Sequence, residues 1–93
     1  MGRSLGRSSR KSATYVAGDY KLKIEKVSLV GAFGIRVTLF RRGRRISVWP
    51  KDGWKQYKEG MDPTLVTRDV VRFVRFPRLN VGKLNKRVRN LLS

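Results

Sequence analysis

Four arginines fall within five positions, Arg41, Arg42, Arg44 and Arg45, broken only by Gly43, and Phe40 and Trp49 lie close on either side. A guanidinium pairs with phosphate oxygens through a fixed fork of donors, and a flat ring stacks on an unpaired base at roughly 1–3 kcal/mol per base. Arginines interleaved with rings are therefore the residue types that hold a single strand. Trp54 and Tyr57 add two more rings nearby, and Arg36, Arg72 and Arg75 add cations on either side. Covalent chemistry has few means here. The chain has no Cys and no His, so thiolate nucleophiles, disulfides, Cys-containing zinc sites and a near-neutral imidazole base are excluded. The six acids, Asp19, Glu25, Asp52, Glu59, Asp62 and Asp69, are too dispersed for an EF-hand loop or a carboxylate pair. Neither an enzymatic role nor a cofactor is expected.

The charge balance favours the same partner. Among 93 residues, 23 are Lys or Arg and 6 are Asp or Glu, a net charge of +17. So many cations in one compact state repel one another, and a polyanion relieves that repulsion. The charge is unevenly placed. Residues 1 to 46 hold 12 basic and 2 acidic residues, +10; residues 47 to 69 hold 4 of each; residues 70 to 93 hold 7 basic and none acidic, +7. The neutral middle carries Trp49, Trp54 and Tyr57. That distribution suits a groove gripping backbone at its edges and bases at its centre. A membrane is not the expected partner, because no 18-residue apolar run exists and the early basic residues are followed by no apolar signal core. The expected location is cytoplasmic and nucleoid-associated.

The elements that must position these residues can be read from their periodicity. Residues 1–13 are Gly, Ser and Arg with little apolar content, and are expected to form a flexible basic arm; residues 14–93 make one nucleic-acid-binding domain. Tyr20, Leu22 and Ile24 alternate with Lys21, Lys23 and Glu25 as in a half-buried strand, and Val27 and Leu29 then change phase, which predicts a bulge near Glu25 to Val27. Gly31 to Gly34 reads as a tight connection. A hairpin follows, with Arg42-Gly43 as its two-residue turn, so that opposed residues have numbers summing to 85. Leu39 then faces Ile46 and Val37 faces Val48, while Arg36, Thr38, Phe40, Arg45, Ser47 and Trp49 share the polar face. The competing reading has the arm or the Trp54 segment covering Phe40 and Trp49 as a second small core.

Beyond Pro50, Trp54 and Tyr57 are three apart in a polar segment, the spacing of a helical turn that Gly60 would stop. Within it they serve either as one wall of a base-binding groove or as anchors to the core. Asp62-Pro63 is a helix start, and Val66, Val70, Phe73 and Val74 would line one side of the helix. The Val and Phe content of 63–76 also suits a strand, and Pro77 ends the element either way; Phe76 belongs to the core or to the groove rim. Asn80 caps a last helix with an apolar stripe of Val81, Leu84, Val88, Leu91 and Leu92. This short stripe must dock on the domain's own sheet or pair with a second subunit, the route to a homodimer through 81–92.

The fold class is therefore α+β: a small antiparallel sheet of three to four strands, C-terminal helices packed on it, and a basic N-terminal arm. In this combination of basic tail, arginine-tipped hairpin, aromatics after it and C-terminal helices, the chain resembles the archaeal ThermoDBP-related single-stranded-DNA-binding proteins over roughly residues 14 to 80. The whirly and positive-cofactor-type coactivator proteins are more distant analogues. The resemblance implies binding of single strands with little sequence preference, bases inserted in an apolar groove, and no catalysis. The lack of Cys, the single Gln and the abundance of Arg and Val fit a hyperthermophilic origin. The expected function is non-sequence-specific binding of single-stranded nucleic acid, DNA before RNA. Its alternatives are a duplex-binding chromatin protein and an RNA-binding structural component of a ribonucleoprotein.

Overall fold

The computed structural model describes residues 10–75 and 79–93. Five strands and two helices follow in order: β1 (Arg10–Ala17), β2 (Tyr20–Leu29), β3 (Ala32–Arg41), β4 (Arg44–Trp49), β5 (Lys55–Lys58), α1 (Pro63–Val74) and α2 (Val81–Leu92). The α+β class and the helices on one sheet are as the sequence predicts, with one strand more. All pairings are antiparallel, in the order β1-β2-β3-β4, and β5 also pairs with β3. Two short strands thus share one edge of β3: β4 runs beside Val37–Arg41 and β5 beside Ala32–Ile35.

Several boundaries differ from expectation. Arg10 to Ala13 belong to β1, paired with Val27 to Ile24, rather than to a free arm. The remainder of the arm, residues 1–9, lies outside the described residues, as do Phe76 and Pro77. No bulge interrupts β2 near Glu25 to Val27; it pairs residue for residue with both neighbours. Val27 instead lies on the side away from the helices, opposite Gly34, so the phase change marks a second half-apolar face. The β2–β3 turn is Val30-Gly31 alone, with Ala32 to Gly34 already in β3.

The core fills one side of the sheet. Leu22 and Ile24 from β2 and Ile35, Val37 and Leu39 from β3 meet Val66, Val70 and Val74 of α1 and Leu84, Val88 and Leu91 of α2. Fully burying each such side chain is worth roughly 1.5–3 kcal/mol, which is how two twelve-residue helices too short to stand alone are held. The choice between helix and strand at 63–76 resolves to helix. Asp62 supplies its cap, its carboxylate accepting from the Thr64 N–H at 2.9 Å, and left-handed Arg75 ends it. Asn80 caps α2 in the same way, accepting from the Lys83 N–H at 3.0 Å. The α2 stripe docks on β1, β2 and α1, the placement on the domain's own sheet. Val81, at the start of that stripe, stays half exposed.

Polar bonds tie the layers together. The Asn80 N–H donates to the Tyr15 hydroxyl at 3.1 Å, joining β1 to the start of α2. The Thr67 hydroxyl lies 2.7 Å from Asn85 Oδ1 between the helices. The Tyr57 hydroxyl donates to Asp69 Oδ2 at 2.6 Å, joining β5 to α1.

Candidate nucleic-acid interface

Side chains alternate across a strand, so the helices take one face of the sheet and leave the other open. The register sets out that open face in rows. Val16, Lys21, Phe40 and Arg45 form one row, Thr14, Lys23, Thr38 and Val48 the next, then Ser12, Glu25 and Arg36, and last Arg10, Val27, Gly34 and Gln56. Glu25 is the one acid in these rows.

Two rings stand on this face, each beside cations. Phe40 is half-buried beside Lys21, its partner on β2, whose Nζ sits 5.1 Å from the ring centroid. Trp54 arrives from the Pro50–Gly53 loop and lies over Gly34. A Cβ built on Gly34 would stand 2.9 Å from Trp54 Cβ and 3.0 Å from Val27 Cγ1, so a side chain at position 34 would lift the indole off the sheet. The guanidinium of Arg10 is 5.4 Å and that of Arg36 is 6.0 Å from the Trp54 ring centroid. Such cation–ring pairs hold the cations in place while leaving donor edges for an anion. Gly34 and Phe40 are six residues apart on β3, roughly 20 Å along the strand, so the rings serve separate stacking positions.

Of the eleven residues singled out from the sequence, Arg36, Phe40, Arg45 and Trp54 share the open face, Arg36 near Trp54 and Arg45 beside Phe40. Arg41, Arg42 and Arg44 crowd the exposed hairpin tip. There the turn is Arg42-Gly43, with both residues at positive φ. Arg42 is held by Asp19, whose carbonyl accepts the Arg42 N–H at 2.9 Å and whose carboxylate lies 3.4 Å from Nε. The Arg41 guanidinium lies over the ring of Tyr20, 5.6 Å from its centroid.

The other four are on the helix layer. Trp49 does not face solvent beside Arg36. The register sums to 85 only at Arg41–Arg44 and Phe40–Arg45, then shifts by one at a bulge, so Leu39 faces Ser47 and Val37 faces Trp49. Ile46 is the extra residue and is half exposed, and Trp49 turns to the helices, its ring 6.1 Å from Phe73. Tyr57 is also removed from the surface, because residues 55–58 form a strand instead of a helical turn. Three positions apart in a helix share a side, but three apart in extended chain take opposite faces, so Trp54 goes out and Tyr57 goes in. Tyr57 stacks on Phe33 at 5.5 Å, 7% exposed. Burial, with the bond to Asp69, holds its hydroxyl far above the ordinary tyrosine value. Arg72 and Arg75 lie at the end of α1, where Arg75 Nε donates to the Arg72 carbonyl at 3.2 Å.

Arg10, Lys21, Lys23 and Lys58 belong to the open face and were not singled out. The signal for Lys21 and Lys23 was present in their alternation with Leu22 and Ile24. Among the described residues, no group of three or more His, Cys, Asp or Glu side chains is placed to hold a metal ion, and no helix is long and apolar enough to cross a membrane. Comparison of the chain with protein-family models, with curated proteins and with solved structures finds no match.

Proposed function

We propose that the open sheet face binds single-stranded nucleic acid, DNA before RNA, without sequence preference and without catalysis, in a nucleoid-associated role. One observation carries the reading: Trp54 is set on a bare glycine, partly exposed, with the guanidiniums of Arg10 and Arg36 at 5.4 and 6.0 Å from its ring centroid. A base stacks on the ring while the two cations meet the phosphates on either side of it. Phe40 with Lys21 and Arg45 repeats the arrangement farther along β3. Bases in a duplex are already stacked on one another, so exposed flat rings favour unpaired strands. The resemblance to single-strand-binding proteins points the same way, on residue pattern alone.

The test uses Trp49→Phe protein, in which Trp54 is the remaining tryptophan. Its fluorescence is titrated with single-stranded DNA, single-stranded RNA and duplex of equal length at two salt concentrations. Quenching by single strands, with affinity falling by about 0.7 log units per log unit of salt for each phosphate neutralised, is expected. Preference for duplex with no quenching by single strands would instead favour a chromatin role, and equal or tighter binding of RNA would move the substrate from DNA to RNA.

A further inference from the structure

The cations of α2 take no part in the open face, yet they are not scattered. Lys86, Arg87 and Asn90 lie three, four and seven positions after Lys83, which aligns all four on the side of α2 that borders β1. Between that side and β1 lie two adjoining hollows of about 570 and 460 Å³, sharing Thr14, Arg87 and Asn90. Lys11 lines the first hollow and Lys83 the second. Helix α2 contains no acid, and among the described residues no salt bridge engages Lys83, Lys86 or Arg87. Leu84 and Val88 of the same helix point into the core and not into the groove.

Consecutive residues of β1 connect this groove to the sheet face. Arg10 reaches the Trp54 ring on the open side, while Lys11, pointing the other way, lines the groove with Arg87. Cations therefore mark a path from Arg36 past Trp54 and Arg10, with Glu25 the one acid beside it, over the edge at Lys11, and on to Arg87, Lys86 and Lys83. We infer that a strand held on the sheet face turns over β1 and lays its sugar-phosphate backbone along the β1–α2 groove. Tyr15 is buried with its hydroxyl accepting from Asn80, so the hollows present no free ring. The groove therefore holds phosphates and leaves bases unstacked. This rests on the sheet-face reading and extends it: the sheet grips the bases, and the groove sets how long a strand the protein covers.

The experiment compares oligothymidylates of about four and about twelve nucleotides, lengths that bracket the footprint of small single-strand domains. The full chain is compared with the exposed triple variant Lys83→Gln/Lys86→Gln/Arg87→Gln and with a charge-matched control, Lys51→Gln/Lys55→Gln/Arg68→Gln. Wild type and control should gain about tenfold or more in affinity on lengthening. The groove variant should match wild type within about twofold on the short strand and lose most of the gain, and its salt slope on the long strand should fall by about 2, the share of three phosphates. The inference is overturned if the groove variant keeps the gain, if it weakens both lengths by one factor, or if two short strands bind one wild-type chain at once. If the short strand binds the Trp49→Phe protein with no Trp54 quenching, the sheet-face reading has failed and the path built on it falls too.

Discussion

Gly34 is the residue on which the open face most depends, and its role is steric. Its Cβ-less backbone lets Trp54 lie against β3, and the nearest Trp54 atom is Cβ, which is fixed to the main chain and cannot swing aside as a side-chain tip could. Gly34→Ala should displace the indole, destabilise the fold by about 1–3 kcal/mol as overpacked sites do, and weaken single-strand binding. Urea denaturation and the fluorescence titration measure the two effects; unchanged binding would mean that Trp54 is not the stacking ring. Tyr57 carries the opposite kind of constraint. Its hydroxyl ionises at about 10 when unfolded, whereas burial and the Asp69 carboxylate resist ionisation in the fold. A raised folded value means the contribution is complete below pH 10 and is lost as pH rises beyond it, by up to about 1.4 kcal/mol per pH unit. Tyr57→Phe should therefore show a shallower loss of stability above pH 10 than wild type. It should also be less stable at neutral pH, because the Asp69 carboxylate loses its donor. Denaturation midpoints from pH 7 to about 12 for both proteins test the sign.

At the scale of elements, the hairpin explains which parts of the site could be read in advance. Its turn follows from Arg42-Gly43 and its tip register from that turn, and both are local, so both were legible. The bulge at Ile46 is not local. With the sum-85 register Trp49 would sit in solvent opposite Arg36, whereas one extra residue in β4 flips it onto Phe73 of α1, twenty-four positions along the chain. Only a partner helix can reward that flip. The Trp54–Tyr57 segment departs from its helical spacing for a similar reason: a spacing of three suits a helical turn, but Phe33 and Asp69 on one face and Gly34 on the other hold it as a strand. The caps at Asp62 and Asn80 and the stripes of both helices depend on neighbours in sequence and were found. The two tryptophans, five positions apart, should consequently behave in opposite ways. Trp49→Ala should cost about 2–3 kcal/mol of stability, less than a fully buried Trp, with short-strand affinity nearly unchanged. Trp54→Ala should cost little stability and about tenfold or more in affinity. Reversal of that pattern in paired denaturation and polarisation measurements would put the ring platform back at Trp49.

For the molecule as a whole, folding and binding should respond to salt with opposite signs, and the net charge of +17 is the reason for both. Adjacent strands are about 5 Å apart, so cations facing one another across the sheet, such as Lys11 and Lys26 or Arg41 and Arg44, lie well within the screening length of about 10 Å at 0.1 M salt. Their repulsion is stronger in the compact state than in the expanded chain. Raising salt toward 1 M shortens the screening length to about 3 Å and removes most of that difference, so the free protein should melt at higher temperature as salt increases. Nucleic-acid affinity should fall over the same range, because released counterions no longer favour association. A bound strand substitutes for salt: at about a hundred times Kd it adds about 2.7 kcal/mol to stability, worth roughly 10–20 °C in a domain of this size. Melting curves with and without a twelve-nucleotide strand, from about 0.05 to 1 M salt, should converge as the first rises and the second declines. Parallel curves would mean that the strand's stabilisation does not come from neutralising these cations, and a melting temperature of the free protein that falls with salt would mean that the charges are not in net repulsion in the fold.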